Sequence, residues 1–147
     1  MSEHTNHGVF IILENAAKCN DDTDRLPYVG VFANYNVGSE VHMRDQIPAR
    51  TPSQLARIEC LDGAKGRIEW LHRVRLGGRR AAGCREYSND GRISVRIVTL
   101  RKTPESADVW IEVSADLETT ADRYNDDMRI FRSVLETVWI HPDGPVE

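Results

Sequence analysis

The sequence lacks most of the features that identify a specialised chain. It has three cysteines and five histidines, but no C-x-x-C pair and no histidine at zinc-ligand spacing from a cysteine. We expect Cys19, Cys60 and Cys84 to be reduced and largely buried; the alternative is one disulfide with one free thiol. No apolar run approaches the roughly 18 residues of a membrane helix, and residues 1–7 lack the basic start and apolar core of a secretory signal. These absences predict a cytoplasmic protein that does not contact a membrane.

Motifs of the common enzyme classes are also missing. There is no G-x-S-x-G, no H-E-x-x-H and no phosphate-cradling glycine loop. Residues 20–24 (N-D-D-T-D) lack the glycine and distal glutamate of an EF-hand, so they indicate a solvated loop. The side chains with catalytic chemistry are scattered along the chain, namely His42, His72, Cys84, Asp90 and Glu112. We therefore expect neither an enzyme nor a bound metal or cofactor.

The composition is typical of one soluble globular domain. The chain has 147 residues, of which 40% are hydrophobic and 29% charged, enough for a core of its own. No repeat or long linker divides it, so residues 1–147 are expected to form a single domain.

Charge is distributed unevenly. The net charge is −4, yet residues 65–102 carry eleven basic and three acidic side chains, which gives this block +8 and leaves −12 for the remainder. The block is either the wet face of several strands or a surface for an acidic partner.

The middle of the chain predicts consecutive strands. Residues 82–87 and 92–101 flank the turn sequence Ser88-Asn89-Asp90-Gly91, which suits a tight hairpin. In the second strand Ile93, Val95 and Ile97 alternate with polar residues, and the apolar pair Ile97-Val98 indicates a bulge or burial on both faces. Residues 103–106 indicate a loop, and residues 109–114 alternate as a third strand. The simplest arrangement is an antiparallel meander.

A helix is predicted next, with Thr119 or Thr120 as its N-cap. Its apolar stripe is formed by Tyr124, Met128, Phe131, Leu135 and Val138, and Ala121, Ile130 and Val134 widen it. The charged residues, Arg132 among them, lie mostly off the stripe. A final strand is expected at 138–140, ended by residues 141–145.

The N-terminal half predicts strands at 8–14 and 27–37, an ambiguous segment at 41–50 and a short helix capped by Thr51 with Pro52 in its first turn. Residues 68–76 indicate a further strand with Trp70, His72, Val74 and Leu76 on one side. Gly77-Gly78 is expected to form the turn that follows.

The order of these elements resembles the second half of the PsbP-like fold. The resemblance rests on the strand and glycine turn at 74–81, Glu86-Tyr87, Asn89-Asp90-Gly91, the strands 93–100 and 109–114, Tyr124 and the helix phrase 131–137. The aromatic-glycine-proline opening of that family is missing. The resemblance covers about residues 70–140 and implies an α+β fold, an antiparallel sheet flanked by helices in an α/β/α sandwich. It also implies protein binding without catalysis, since bacterial members include effector-associated chaperones of type six secretion systems.

These observations predict a non-catalytic protein-binding module, a bacterial chaperone or adaptor that holds an effector protein. The alternative is an immunity protein that neutralises a toxin, and a minor one is nucleic-acid binding through the basic block. A homodimer is left open. A chaperone should present an apolar groove able to hold a helix, and an immunity protein a charged knob. The predicted contact residues are Arg73, Arg75, Arg79, Arg80 and Trp110.

Overall fold

The computed structural model describes residues 6–12, 28–37, 51–102 and 109–138. The predictions for residues 20–24, 41–50, 103–106, 139–140 and 141–145 lie outside these ranges.

The described residues form a six-stranded antiparallel sheet and two helices. The sheet order is β1-β2-β6-β5-β4-β3, and every neighbouring pair is antiparallel. In chain order the elements are β1 (Asn6–Ile12), β2 (Tyr28–Val37), α1 (Pro52–Leu61), β3 (Arg67–Leu76), β4 (Arg79–Tyr87), β5 (Arg92–Lys102), β6 (Val109–Thr120) and α2 (Tyr124–Thr137). The predicted α+β fold is confirmed.

The two helices cover opposite faces of the sheet. β5 separates the faces, because Ile93, Val95 and Ile97 pack in the core that contains α2, whereas Val98 packs with Leu55 of α1. The register of β5 with both neighbours runs through Ile97 and Val98 without a shift. The apolar pair therefore marks burial on both faces, and the alternative of a bulge at this point is wrong.

The α2 face holds the larger core. Phe131 is completely buried there, with Met128 and Leu135 on the same stripe, against Val113, Ala115 and Leu117 of β6 and Val29 of β2. Ile130 is 43% exposed and Ala121 is also exposed, so the stripe is narrower than the sequence indicated.

The predicted turns are present. Gly91 has φ +84°, and its N–H donates to the carbonyl of Ser88 in the β4–β5 hairpin. Gly77 and Gly78 both have positive φ between β3 and β4, a conformation that side chains with a Cβ adopt at a cost. The Thr51 Oγ1 accepts from the Gln54 N–H and caps α1 as predicted.

The start of α2 was predicted wrongly. Thr119 and Thr120 belong to β6, whose period-two alternation continues to Thr120, and α2 begins at Tyr124 after Arg123. The Thr119 hydroxyl still serves this helix, because it donates to the buried Asp127 carboxylate at 2.5 Å. Threonine in this context is therefore a strand residue that anchors the first turn of the helix from outside it.

The expectation of three reduced thiols was also wrong. Cys60 of α1 and Cys84 of β4 form a disulfide across 24 residues of sequence. Cys84 lies on the α1 face, beside Ala82, which packs with the small core of Leu55, Ala56, Val98 and Leu100. The pairing follows from the topology that brings α1 over β4, and sequence spacing carries no trace of it.

Candidate functional site

A bulge in β3 shapes the surface between this strand and α2. Leu71 is opposite Gly83 and Val74 is opposite Ala81, so β3 has one residue more than β4 over this stretch. Arg73 within it has φ +56°, and it is the one non-glycine residue with positive φ among those described. Because the bulge adds one residue, Leu71 and Val74 both pack in the α2 core. The prediction that Trp70, His72, Val74 and Leu76 share one side is therefore wrong.

A groove runs between the bulged part of β3 and α2. Its volume is about 490 Å³. Its floor is apolar and consists of Leu71, Val74, Ile97, Met128 and Leu135. Its polar lining consists of His72, Arg73, Arg75, Arg85, Tyr124, Arg132 and Glu136. The groove thus combines an apolar floor with an excess of positive charge, and we call it the β3–α2 groove.

A hydrogen-bond network includes two residues of the groove lining, Arg85 and Tyr124. The Arg85 guanidinium donates to Glu69 Oε2 through Nη2 at 2.6 Å and through Nε at 3.2 Å, and it also donates to the Tyr124 hydroxyl. The Tyr87 hydroxyl donates to the same Glu69 oxygen at 3.2 Å. The hydrogen bonds from Arg85, together with one from Arg67, hold the pKa of Glu69 below its usual range. These contacts within the protein therefore hold the Arg85 side chain in place.

The predicted contact residues fall into three groups. Arg73 and Arg75 line the β3–α2 groove. Arg79 and Arg80 begin β4, and Arg80 is exposed beside the Gly77-Gly78 turn. Trp110 is in β6, in register with Asn36 and Lys102, but its side chain is outside the described part of the structure.

Sequence reasoning missed Arg132 and Arg85 as parts of this site. Arg132 was assigned to the solvent side of α2, and it lies at the edge of the apolar stripe, where it meets the groove. No local signal shows that edge, because it depends on where the bulge of β3 lies.

The α1 face has a different, acidic cavity of about 140 Å³, lined in part by the disulfide. At its centre Arg96 Nε donates to Asp116 Oδ1 at 2.9 Å, and Arg96 Nη1 is 3.4 Å from Glu59 Oε2. Ser94 Oγ donates to Glu118 Oε2 at 2.6 Å. Burial raises the pKa of Asp116 and of Glu118 above their usual values. This cavity is a polar network internal to the fold.

A third, mainly apolar cavity of about 260 Å³ lies between α1 and β3, with Trp70, His72 and Ala56 in its lining. Trp70 is 36% exposed at its edge. The cavity brings together no set of groups for acid-base or nucleophilic chemistry.

The side chains considered for catalysis do not meet where their positions are described. Cys84 is in the disulfide, His72 is in the bulge of β3, and Glu112 is buried in β6. Asp90 accepts from the Arg92 N–H in the hairpin turn, and His42 lies outside the described residues. Among the residues with a described position, no three His, Cys, Asp or Glu side chains are arranged to hold a metal ion.

Arg101 near the end of β5 is a buried charged residue. It is 1% exposed, and by strand alternation it follows Ile97 and Thr99 on the α2 face. None of its three guanidinium nitrogens has a hydrogen-bond partner within the described residues. A buried, unpaired charge destabilises a fold.

Comparisons with known proteins bear on the fold alone. No family model matches the chain, and no curated protein matches it. Among solved structures the chain is similar to LpqN, described as involved in cell envelope biogenesis of Mycobacterium tuberculosis, with a TM-score of 0.53 and 12% sequence identity. The alignment covers 93% of this chain and 84% of LpqN. Within the described ranges, neither helix is of a length and apolarity that would span a bilayer.

Proposed function

We propose that this protein is a non-catalytic binding module, an adaptor or chaperone whose β3–α2 groove receives a segment of another protein. The observation that supports this is the groove itself, in which an apolar floor is flanked by arginines from β3, β4 and α2. Recognition grooves for amphipathic helices have this combination. A PsbP-like relationship and a role in holding an effector before type six secretion remain predictions from the sequence.

A toxin-neutralising immunity function is the second candidate. It is favoured by the β3–β4 turn, where Arg79 and the exposed Arg80 follow two glycines with positive φ. Such a charged projection suits a toxin cleft, and association through it would weaken as salt increases.

The disulfide suggests a compartment other than the predicted cytoplasm. Disulfides persist in oxidising environments and are rare where glutathione and thioredoxin keep thiols reduced. We therefore propose that the adaptor works outside the cytoplasm, in the cell envelope or beyond.

The compartment is tested by quenching cells with acid, denaturing the protein and counting its free thiols with a maleimide of high mass. If Cys60 and Cys84 are bonded in vivo, denatured chains gain one label. Chains that gain three labels would show that all three cysteines are reduced, which would contradict the proposed location and favour the cytoplasm.

The binding function is tested with a photo-crosslinking amino acid at Glu136, which lines the groove. Asp126 on the same helix is exposed and does not line the groove, so it is the matched control. A third position, Arg80, tests the turn. We expect one dominant protein adduct from position 136 and little from 126. A dominant adduct from position 80, carrying a toxin domain, would favour immunity, and nucleic-acid adducts or equal yields at all positions would contradict the adaptor.

A further inference from the structure

We propose that the β3–α2 groove selects an acidic amphipathic helix, whose carboxylates pair with Arg73 on one wall and Arg132 on the other. This inference rests on the proposed binding function and specifies the chemistry of the partner segment. Three observations lead to it: the charges that line the groove, the backbone of Arg73 and the apolar floor.

The first observation is which groove charges are available to a partner. Four arginines line the groove against one glutamate, Glu136. Arg85 is already bound by Glu69 and Tyr124, and Arg75 Nη1 donates to the Gly78 carbonyl at 2.9 Å. Arg73 and Arg132 are exposed, and neither makes a hydrogen bond or ion pair with any residue whose position is described. Two guanidinium groups on opposite walls are therefore available for carboxylates.

The second observation is the conformation of Arg73. Its φ of +56° is one that glycine adopts without a steric cost and that an L side chain adopts only with one. Strained residues of this type concentrate where the side chain has a binding role, and bulges redirect side chains beside such sites. The bulge leaves Leu71 and Val74 in the core and places Arg73 at the groove.

The third observation is the floor, which requires an apolar face on the partner. Leu71, Val74 and Ile97 come from the sheet, and Met128 and Leu135 from α2. A helix with apolar residues three and four positions apart matches such a floor, and carboxylates at the borders of its apolar stripe reach both walls. Nucleic acid offers phosphates but no continuous apolar face.

The charges elsewhere on the protein favour binding of an acidic helix at the groove. The opposite face of the sheet has the carboxylates around Arg96, and the chain outside residues 65–102 is acidic. An acidic helix is therefore repelled by the acidic cavity of the α1 face and attracted by the groove.

The test uses two fluorescein-labelled synthetic helices of about 18 residues with identical leucine faces. One has glutamates at the borders of the stripe, and the other has lysines there. We expect the wild-type protein to bind the glutamate helix at least about tenfold more tightly by fluorescence anisotropy at low salt. The preference should shrink in about 0.5 M NaCl.

Charge reversal at the two walls decides the inference. Arg73→Glu with Arg132→Glu should invert the preference, so that the lysine helix binds more tightly, whereas Arg79→Glu with Arg80→Glu is a matched reversal outside the groove and should not invert it. If the groove reversal disrupts folding, Arg73→Gln with Arg132→Gln should abolish the preference. Equal binding of both helices by wild type, or inversion by the Arg79 and Arg80 pair, would overturn the inference.

Failure of this inference is distinguishable from failure of the proposed function. A partner crosslinked at Glu136 whose capture is insensitive to the groove reversal would leave the binding function standing and refute the acidic helix. Binding of single-stranded DNA in preference to both helices would refute it as well, because the basic block would then be a nucleic-acid surface.

Discussion

On its α2 side the sheet is covered by an apolar stripe, with Phe131, Met128 and Leu135 packed on side chains from β2, β5 and β6. On its α1 side the apolar core is small, and a disulfide and the ion pairs of Arg96 join helix and sheet. The first side depends on hydrophobic burial, which is not directional. The second depends on a covalent bond and paired charges, which respond to redox conditions and pH. The groove with the available arginines lies on the apolar side, so the proposed partner segment would bind the face that is held by hydrophobic burial.

The largest expected effect on this contrast is Phe131→Ala. The side chain is completely buried, and its removal should lower the free energy of unfolding by about 4 kcal/mol in urea titrations. Ile130→Ala, which truncates a side chain that is 43% exposed on the same helix, is the control and should change it by less than about 1 kcal/mol. Similar losses for both would show that α2 does not pack as described.

Loss of the disulfide measures the other face. Cys60→Ala with Cys84→Ala opens a loop closed across 24 residues, and chain entropy predicts a loss of about 3 kcal/mol. Reduction of the wild type should have the same effect on the unfolding midpoint. In Cys19→Ala, which removes the thiol outside the bond, reduction should shift the midpoint as it does in the wild type. A double variant as stable as wild type would show that α1 is held by its small core alone.

The sequence predicts the α2 side much better than the α1 side. Two local patterns predict the α2 side. Apolar residues alternate in β5 (Ile93, Val95 and Ile97) and recur at helical spacing in α2 (Met128, Phe131 and Leu135), and both patterns directly indicate which side chains are buried. The contacts of Cys60 with Cys84 depend on topology, because residues far apart in sequence must first be placed side by side.

The candidate site was predictable only in part. Arg73 and Arg75 were identified from the density of positive charge, without the groove that they line. The bulge was missed because neither His72 nor Arg73 is a glycine or proline, the residue types that usually indicate one. The extra residue inverts the side-chain alternation in the rest of the strand, so the predicted faces of β3 were wrong as well. Arg132 lines the groove because of how α2 packs against β3, and helical periodicity in the sequence does not predict that packing.

Substitution of two arginines of β5, one on each face, compares the effect of their charges on stability. Arg101 on the α2 side is 1% exposed, without a hydrogen-bond partner in the described ranges, whereas Arg96 on the α1 side is paired with Asp116. Arg101→Met should raise the free energy of unfolding by about 2 kcal/mol, since an apolar side chain avoids the desolvation of the guanidinium. Arg96→Met should lower it by about 1 kcal/mol because Asp116 loses its partner. Destabilisation by Arg101→Met in urea titrations would reveal a counter-charge in solution.

A smaller effect tests the strain at the groove. Arg73→Gly should raise the free energy of unfolding by about 0.5–1 kcal/mol, because relief of the left-handed conformation exceeds the entropic cost of glycine. Arg75→Gly, in extended backbone of the same strand, should lower it by a similar amount. The same Arg73→Gly protein should bind the glutamate helix more weakly. A gain in stability without a loss of binding would separate the strain from the function.

The smallest expected effect contrasts two glutamates, one on each face, whose pKa values are shifted in opposite directions. Burial raises the pKa of Glu118 above 4.5, so the folded state resists its ionisation, and this cost to stability is present at neutral pH and disappears as the pH falls below the ordinary value. Glu118→Gln retains an acceptor for Ser94 and should therefore be more stable than wild type at pH 7, by less than about 1 kcal/mol, with no difference near pH 4.

The hydrogen bond from Arg85 lowers the pKa of Glu69 below 4.5, so its charge stabilises the fold at neutral pH and that contribution is lost as the pH falls through the lowered pKa. Glu69→Gln should accordingly be less stable than wild type at pH 7 and approach it in acid. Urea midpoints measured across this pH range should show the two variants converging on wild type from opposite sides, and convergence from the same side would contradict the electrostatic difference between the two faces.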